Sequence, residues 1–491
     1  MELKKTDGRV LGTAVLFLAC FAAVLLYCMR FGSMISLSGD AADIWKTITT
    51  YYTADRYPSY VLYKGFASVY PYVWLYQLAV LLGTNEFFFV MCYHGLLFGY
   101  IIAFGIPTLV KELTGYEPKW WQKVLLAVVL FWFWSRYKAL SDLMVDLPSC
   151  AFFLLSIQCA VAIVHYSGWK RWVMVCLAGL LCGLCANISG QYSIAAACIM
   201  VFACVQIWKS APAGRRLGRR FLAGFLPLAV LLCLAMGSVK LLNLAFQATV
   251  LQPFQDSGVY IAPAEAWMHR ALIFMIDIGR LFYGSQLYDA RGHEIVMSLY
   301  GAEEGTRLLE LAAAGGYGWT IAEYFRAFFQ HPVDFIMLYL NRLMIAISDD
   351  SGICALRSLL PCYTMVYLAI VTAIKGLKRL RDLFCAKLWL VLGALASMIP
   401  VLVMTVEMRY TLSLQSMLFG VALAGPILPR LWGTVSGGIH QCRQEKSLRS
   451  LLDRKFPWEV MGWIVFCAVC LAYFGSICAA SDMGTGMLYH W

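Results

Sequence analysis

The stretch from Val10 to Met29 reads VLGTAVLFLACFAAVLLYCM and contains no charged side chain. A helix of about 20 apolar residues is long enough to cross the hydrocarbon core of a bilayer. A secretory signal has a shorter apolar region and a cleavage site of small residues, whereas this run ends in Met29-Arg30-Phe31. We therefore expect an uncleaved first transmembrane helix.

The composition of the whole chain has the same character. The chain has 491 residues, of which 61% are hydrophobic and 14% are charged, whereas a soluble protein has about 25% charged residues. Most of the 18 cysteines lie inside apolar runs, where cysteine acts as a small hydrophobe and not as part of a disulfide framework. The composition excludes a soluble enzyme, a nucleic-acid-binding protein and a disordered protein.

Further apolar runs predict an all-α polytopic membrane protein of about eleven transmembrane helices. These runs are 87–110, 121–135, 148–166, 172–188, 191–208, 221–242, 357–374, 387–405, 411–429 and 459–479. Basic residues cluster before the first run and in alternate loops, and the positive-inside rule assigns such loops to the cytoplasm. They include Lys111 and Lys119, Lys170 and Arg171, Arg215 and Arg216, Lys378 and Arg379, and Arg443 and Lys446. The amino terminus is therefore predicted to be cytoplasmic.

Two long loops, 30–86 and 243–356, fall on the opposite, outer face in this topology. Within them, residues 58–82 and 321–347 are apolar enough to be mistaken for spans. Counting only one of them as a span would place the later basic loops on the outer side, against the positive-inside rule. We predict that both are amphipathic helices at the outer interface. Long loops in a compact chain are usually functional, so we expect the chemistry on the outer face.

Carboxylates and one arginine at the outer ends of spans are the candidate site residues. Asp40 and Asp43 are three residues apart and would share one face of a helix directly after the first span. They are either solvated residues near a helix start or a general base or metal ligand. Asp146, at the mouth of the fourth span, is either an interface residue or a site residue. Arg409 next to Glu407 is either an interfacial ion pair or a phosphate-binding group.

These segments together resemble the GT-C superfamily of membrane glycosyltransferases, which includes protein O-mannosyltransferases and aminoarabinose transferases. The resemblance covers residues 10–430 and rests on the order of several short motifs. They are Ser38-Gly-Asp40-Ala-Ala-Asp43, Tyr57-Pro58-Ser-Tyr60, Leu82-Gly83-Thr-Asn85-Glu86, Met144-Val-Asp146-Leu-Pro148, Phe329-Gln-His331-Pro332 and Glu407-Met-Arg409-Tyr410. The acidic pair of the family is spaced differently here, as Asp-x-x-Asp, and the second proline of its Pro-Pro pair is missing.

The resemblance implies transfer of a sugar from a polyprenyl-phosphate-linked donor to an acceptor at the outer face of the membrane. Asp40 or Asp43 would be the catalytic base or would hold a divalent metal, with His331 as a further metal ligand. The donor phosphate and sugar would be bound by Arg409, Glu407, Tyr410, Asp146, Lys64, Arg56, Arg280 and Gln191. Residues 1–430 would form a GT-C-like transmembrane domain, and 431–491 a basic cytoplasmic loop with the last transmembrane helix. Membrane lipids and the lipid-linked donor would be the partners, in a bacterial plasma membrane.

Two other functions remain open from the sequence. A transporter or flippase of lipid-linked sugars would explain the spans, but it predicts polar groups at mid-membrane depth and usually internal repeats. A non-catalytic assembly protein of the same fold is also compatible with the altered acidic motif. The chain has no glycine-rich nucleotide-binding loop, so a nucleotide-dependent enzyme is not expected.

Overall fold

The computed structural model is 87% helix, with turns and short loops between the helices, and the described residues form no strand. It describes residues 2–31, 40–50, 65–209, 218, 222, 225–255, 281, 289–313, 321–348, 356–377, 386–399, 406, 408–433 and 458–480. Within these ranges, 7 helices are long and apolar enough to cross a membrane, or 8 if one bent pair is a single span. This confirms an α-helical, multi-pass membrane protein.

The first group of helices lies in one compact unit formed by residues 1–266, 373–397 and 412–424. Its helices are α1 (Glu2–Phe31), α2 (Asp40–Thr50), α3 (Tyr70–Leu81), α4 (Phe88–Thr114), α5 (Trp120–Arg136), α6 (Asp146–Ala162), α7 (Gly168–Ile188), α8 (Tyr192–Lys209) and α9 (Leu226–Gln255).

The second unit consists of residues 267–372, 398–411 and 425–491. Its chain continues through α10 (Ala290–Tyr300), α11 (Ala302–Ala313), α12 (Ile321–Gln330), α13 (Pro332–Ile347) and α14 (Leu356–Gly376). The last helices along the chain are α15 (Ala386–Ala396), α16 (Met408–Ala424), α17 (Ile427–Gly433) and α18 (Trp458–Ala480). By its residues α15 belongs to the first unit, as does most of α16, whereas α17 and α18 belong to the second.

Each of the eleven predicted spans contains a helix, but four of these helices are short. A helix needs about 17–25 residues to span a bilayer. α5, α6 and α16 have 17 residues each, at the lower limit, although α16 and α17 together form the bent pair, and α15 has only 11. The count of eleven and the division at residue 430 therefore remain predictions. The predicted interfacial segment 58–82 contains α3, which has 12 residues and is too short to span.

Glycines allow close helix contacts in the first unit. A Cβ on Gly179 of α7 would lie 2.5 Å from the Leu232 carbonyl oxygen of α9. A Cβ on Gly183 of α7 would lie 3.0 Å from the Met236 carbonyl oxygen of α9. On α4, a Cβ on Gly99 would lie 3.0 Å from the Phe17 carbonyl oxygen of α1. Small residues four apart let membrane helices approach closely where apolar burial supplies little driving force.

The second unit contains an aromatic core of its own. Ile295 of α10, Ala327 of α12 and Phe335 of α13 are buried in one cluster. The predicted segment 321–347 is two helices, because the chain breaks at His331 and Pro332 begins α13. Proline is favoured in the first turn of a helix, where its missing N–H has no partner to lose.

Candidate functional site

The helix that carries Asp40 and Asp43 is anchored by its apolar face. Ala41, Ile44 and Ile48 of α2 are fully buried, and their spacing places them on one side of the helix. They pack in one cluster with residues from α3, α4 and the loop before α6, namely Val69, Tyr72, Val73, Val90 and Leu143. The placement of Asp40 and Asp43 on a helix is confirmed, whereas their side chains lie outside the described residues.

The acidic loop, which we define as residues 137–146, is held by hydrogen bonds from other helices. His94 Nδ1 donates to the Leu140 carbonyl oxygen at 2.9 Å. Its Nε2 lies 3.0 Å from the Tyr72 hydroxyl, whose single proton is shared between Nε2 and the Met144 carbonyl oxygen. The Cys28 thiol donates to the same Leu140 oxygen at 3.3 Å, and the Tyr72 hydroxyl lies 3.2 Å from the Met144 carbonyl oxygen. His94 therefore has both ring nitrogens engaged, which fits a structural role.

Asp142 is a buried carboxylate within this loop. The residue is only 4% exposed, and no hydrogen-bond donor in the described part of the chain reaches its Oδ1. Burial raises the pKa of Asp142 from 3.8 to about 6, although the positive charge of Lys138 acts in the opposite direction. A carboxyl group with a strongly raised pKa is a common feature of functional sites.

Asp146 is the first residue of α6 and is also buried, at 2% exposure. Its charge acts on the Cys150 thiol and on the hydroxyl of Tyr192, so all three groups are close together. A carboxylate in the first turn of a helix is stabilised by the helix dipole. Asp146 is therefore a buried residue and not the solvated interface residue that its sequence position also allowed.

Leu143 connects the two acidic segments. It lies between Asp142 and Asp146 in the sequence, and its side chain belongs to the same cluster as the apolar face of α2. The structure therefore brings the helix of Asp40 and Asp43 beside the acidic loop. Asp40, Asp43 and Asp146 are predicted site residues from the sequence, whereas no sequence pattern indicates that Asp142 is buried.

A tight turn beside the acidic loop is fixed by two asparagines. The Ala67 N–H donates to Asn187 Oδ1 at 2.9 Å, and the Phe66 N–H donates to Asn243 Oδ1 at 3.1 Å. The turn begins at Gly65, whose φ of +82° favours glycine, and a Cβ there would lie 2.6 Å from Asn187 Nδ2. Ala67 packs against Val145 in the acidic loop. This turn is a part of the site that the sequence did not predict.

The remaining predicted site residues are described only in part. Gln191 lies in the turn between α7 and α8 and is half-buried. Arg409 and Tyr410 lie in the first turn of α16, but their side chains are outside the described residues. Arg56, Lys64, Arg280 and Glu407 are outside them altogether.

The predicted metal ligands do not form a visible metal centre. His331 Nε2 lies 3.1 Å from the Ser298 hydroxyl, and His331 Nδ1 lies 3.6 Å from an Asp334 carboxylate oxygen. Among the residues that the structure describes, no group of three His, Cys, Asp or Glu side chains could hold a metal ion. Metal binding by Asp40 stays a prediction from the sequence.

Comparison with known proteins gives no family for this chain. No protein-family model matches it, and no curated protein sequence matches it. The features that bear on function are therefore the acidic segments and the helical membrane architecture around them. Chemically, neighbouring carboxylates of this kind can accept a proton or bind a cation.

Proposed function

We propose that the chain is an integral-membrane glycosyltransferase that moves a sugar from a polyprenyl-phosphate-linked donor to an acceptor hydroxyl at the outer face of the membrane. The observation that carries the proposal is the packing of α2, with Asp40 and Asp43, beside the acidic loop that contains Asp142 and Asp146. The multi-pass helical architecture supports a lipid-linked donor, because a lipid tail requires an apolar environment.

In this mechanism Asp40 or Asp43 takes the proton from the acceptor hydroxyl. The buried carboxylates Asp142 and Asp146 raise the pKa of that base, because neighbouring negative charges disfavour its ionisation. A base with a raised pKa holds the proton better near neutral pH. Asp142 and Asp146 are therefore positioning residues in this proposal, and the base is on α2.

The leaving group is a lipid phosphate that needs a positive charge. The sequence offers Arg409 for this role, with Arg56, Lys64 and Arg280 as further cations. Arginine stays charged and can contact a phosphate with two parallel hydrogen bonds. Glu407, Tyr410 and Gln191 would contact the donor sugar.

The proposal is tested by complementation of cells that lack the chain. Wild-type cells should carry a glycosyl unit on an envelope component, detected by mass spectrometry, that the deletion strain lacks. Asp40→Asn or Asp43→Asn should lower transfer by about 100-fold or more, because general-base catalysis contributes roughly 10²–10⁴. Asp142→Asn should lower transfer less and shift the acid limb of the pH profile to lower pH.

The matched control is Glu303→Gln, which removes an exposed carboxylate from α11. It should leave transfer unchanged at equal expression. A flippase would instead keep lipid-linked sugar movement in all the aspartate variants and transfer no sugar itself. Full glycosylation in both α2 variants would refute the proposed base.

A further inference from the structure

The second unit contains a cavity of about 500 Å³ that belongs to no predicted site. Its volume is within the range of small-molecule pockets, about 300–1,000 Å³. Helices α10, α13 and α18 form its walls. The polar lining residues are Asp289, Arg291, Glu294, Asn341, Tyr473 and Ser476, and apolar side chains such as Met337 and Ile477 complete the lining.

Three polar groups of the lining are fixed in a chain of hydrogen bonds. The Tyr473 hydroxyl donates to Asn341 Oδ1 at 2.6 Å, and Asn341 Nδ2 donates to Asp289 Oδ2 at 2.5 Å. Asp289 also accepts from the backbone N–H of Arg291 at 3.0 Å, as the amino-terminal cap of α10. Asn341 and Asp289 are buried, at 6% and 7% exposure. The lining is therefore preorganised, which reduces the cost of ordering on binding.

The charges of the lining select against an anion. Arg291 Nη1 contacts Asp289 Oδ2 at 3.0 Å, so these two charges neutralise each other. Glu294 is exposed at the cavity, and no ion pair joins it to the described residues. Among the described lining residues, the two carboxylates outnumber the one cation, which disfavours a phosphate or carboxylate ligand.

We propose that this cavity binds the neutral, hydroxyl-rich part of a glycan. A sugar hydroxyl both donates and accepts. The lining offers acceptors on Glu294, Asn341 and the Ser476 hydroxyl oxygen, whose own proton is donated to the Tyr473 carbonyl oxygen at 2.7 Å, and it offers the remaining N–H donors of Arg291. The apolar side chains of the lining would pack against the C–H faces of a sugar ring. A ligand without such faces would make no apolar contact with them. An apolar ligand would cover the Glu294 carboxylate and the remaining N–H groups of Arg291 without giving them a hydrogen-bond partner.

The test uses the purified full-length chain in an amine-oxide detergent, which has no sugar headgroup to compete. The protein is applied to an array of neutral and anionic glycans. At least one neutral glycan should bind, and Glu294→Gln should weaken that binding about tenfold or more, since a hydrogen bond to a charged group is lost. Tyr473→Phe should also weaken it, because the hydroxyl that orients Asn341 is removed.

Each variant has a matched control in the same unit. Glu303→Gln removes another exposed carboxylate, and Tyr300→Phe removes a hydroxyl that contacts Glu323 at 3.4 Å, outside the cavity. Both should bind like the wild type. Binding of no glycan, binding of anionic glycans alone, or unchanged binding in Glu294→Gln and Tyr473→Phe would overturn the inference.

The inference is independent of the transferase mechanism. Asp40 lies in the first unit, so Asp40→Asn should leave glycan binding unchanged even where it abolishes transfer. A wild-type chain that binds a glycan but transfers no sugar would refute only the proposed function. Loss of binding in Glu294→Gln with intact transfer would support only the glycan cavity.

Discussion

A buried carboxyl group resists ionisation, and Asp142 is such a group: it is only 4% exposed, and no donor in the described chain reaches its Oδ1. Its pKa of about 6 in the folded chain compares with 3.8 when the group is unperturbed. Between these two values the folded state holds a proton that the unfolded state has released. The free energy of unfolding therefore falls as the pH rises from about 4 through 6, and it stays lowered above pH 7.

Asp142→Asn should stabilise the protein at pH 8. A shift of about two pKa units corresponds to about 3 kcal/mol, since each unit is worth about 1.4 kcal/mol. The gain should shrink toward zero near pH 4, where the carboxyl group is protonated in both states. Thermal unfolding of the detergent-solubilised protein at pH 8 and pH 4.5 measures the difference.

Asp334→Asn is the control for this measurement, because Asp334 is a partly exposed aspartate on α13. It should not change stability in the same pH-dependent way. A stabilised variant with reduced transfer would also show that the charge of Asp142 is retained for function at a cost in stability. A destabilised Asp142→Asn at pH 8 would contradict the unsatisfied buried carboxylate.

The sequence could identify the aspartates but not their environments. Asp40, Asp43 and Asp146 were predicted because they adjoin apolar runs, which is a local signal. The loop around Asp142 is hydrogen-bonded to Tyr72 and His94, which are 70 and 48 residues before Asp142 in the chain. Such long-range contacts leave no trace in local periodicity.

At the scale of elements, the contact between α7 and α9 depends on glycine. Gly179→Ala would place a Cβ 2.5 Å from the Leu232 carbonyl oxygen, which is backbone and cannot move aside easily. We expect a loss of about 1–3 kcal/mol, the usual cost of overpacking. The apparent Tm of the variant in detergent checks this expectation.

Gly237→Ala is the matched control, because this glycine also lies in a packed helix but its Cβ would have nothing within 4 Å. Alanine favours a helix over glycine by up to about 1 kcal/mol, so stability should stay the same or rise. Equal losses in Gly179→Ala and Gly237→Ala would show that the two helices do not meet at Gly179.

Helices were predictable from the sequence because apolar runs and helical spacing are local. Their depth of burial was less predictable. The segment 321–347 was predicted at the membrane interface from its polar residues, yet Asn341 and Arg342 of α13 are buried. The partners of Asn341 are Asp289 and Tyr473, which are 52 and 132 residues away in sequence.

At the scale of the whole molecule, the number of membrane crossings decides which segments share a face. If α5 and α6 both cross, as the basic loops predict, the acidic loop between them is outside and residues 115–119 are in the cytoplasm. If neither crosses, both segments are on one side. Because each helix has 17 residues, at the lower limit for a span, length alone does not decide between these topologies.

Single cysteines with a membrane-impermeant maleimide distinguish the two topologies. Lys138 and Glu117 are both exposed and lie beyond opposite ends of α5. Lys138→Cys should be labelled in intact cells, as should Glu303→Cys in the second predicted outer loop, whereas Glu117→Cys should be labelled only after permeabilisation. The wild type gives the background from native thiols, most of which are at least partly buried in the described chain.

Labelling of Lys138→Cys and Glu117→Cys from the same side would mean that α5 does not cross the membrane. Labelling of Lys138→Cys from the cytoplasm alone would place the acidic loop away from any donor at the outer face, and the proposed transferase mechanism would fail with it.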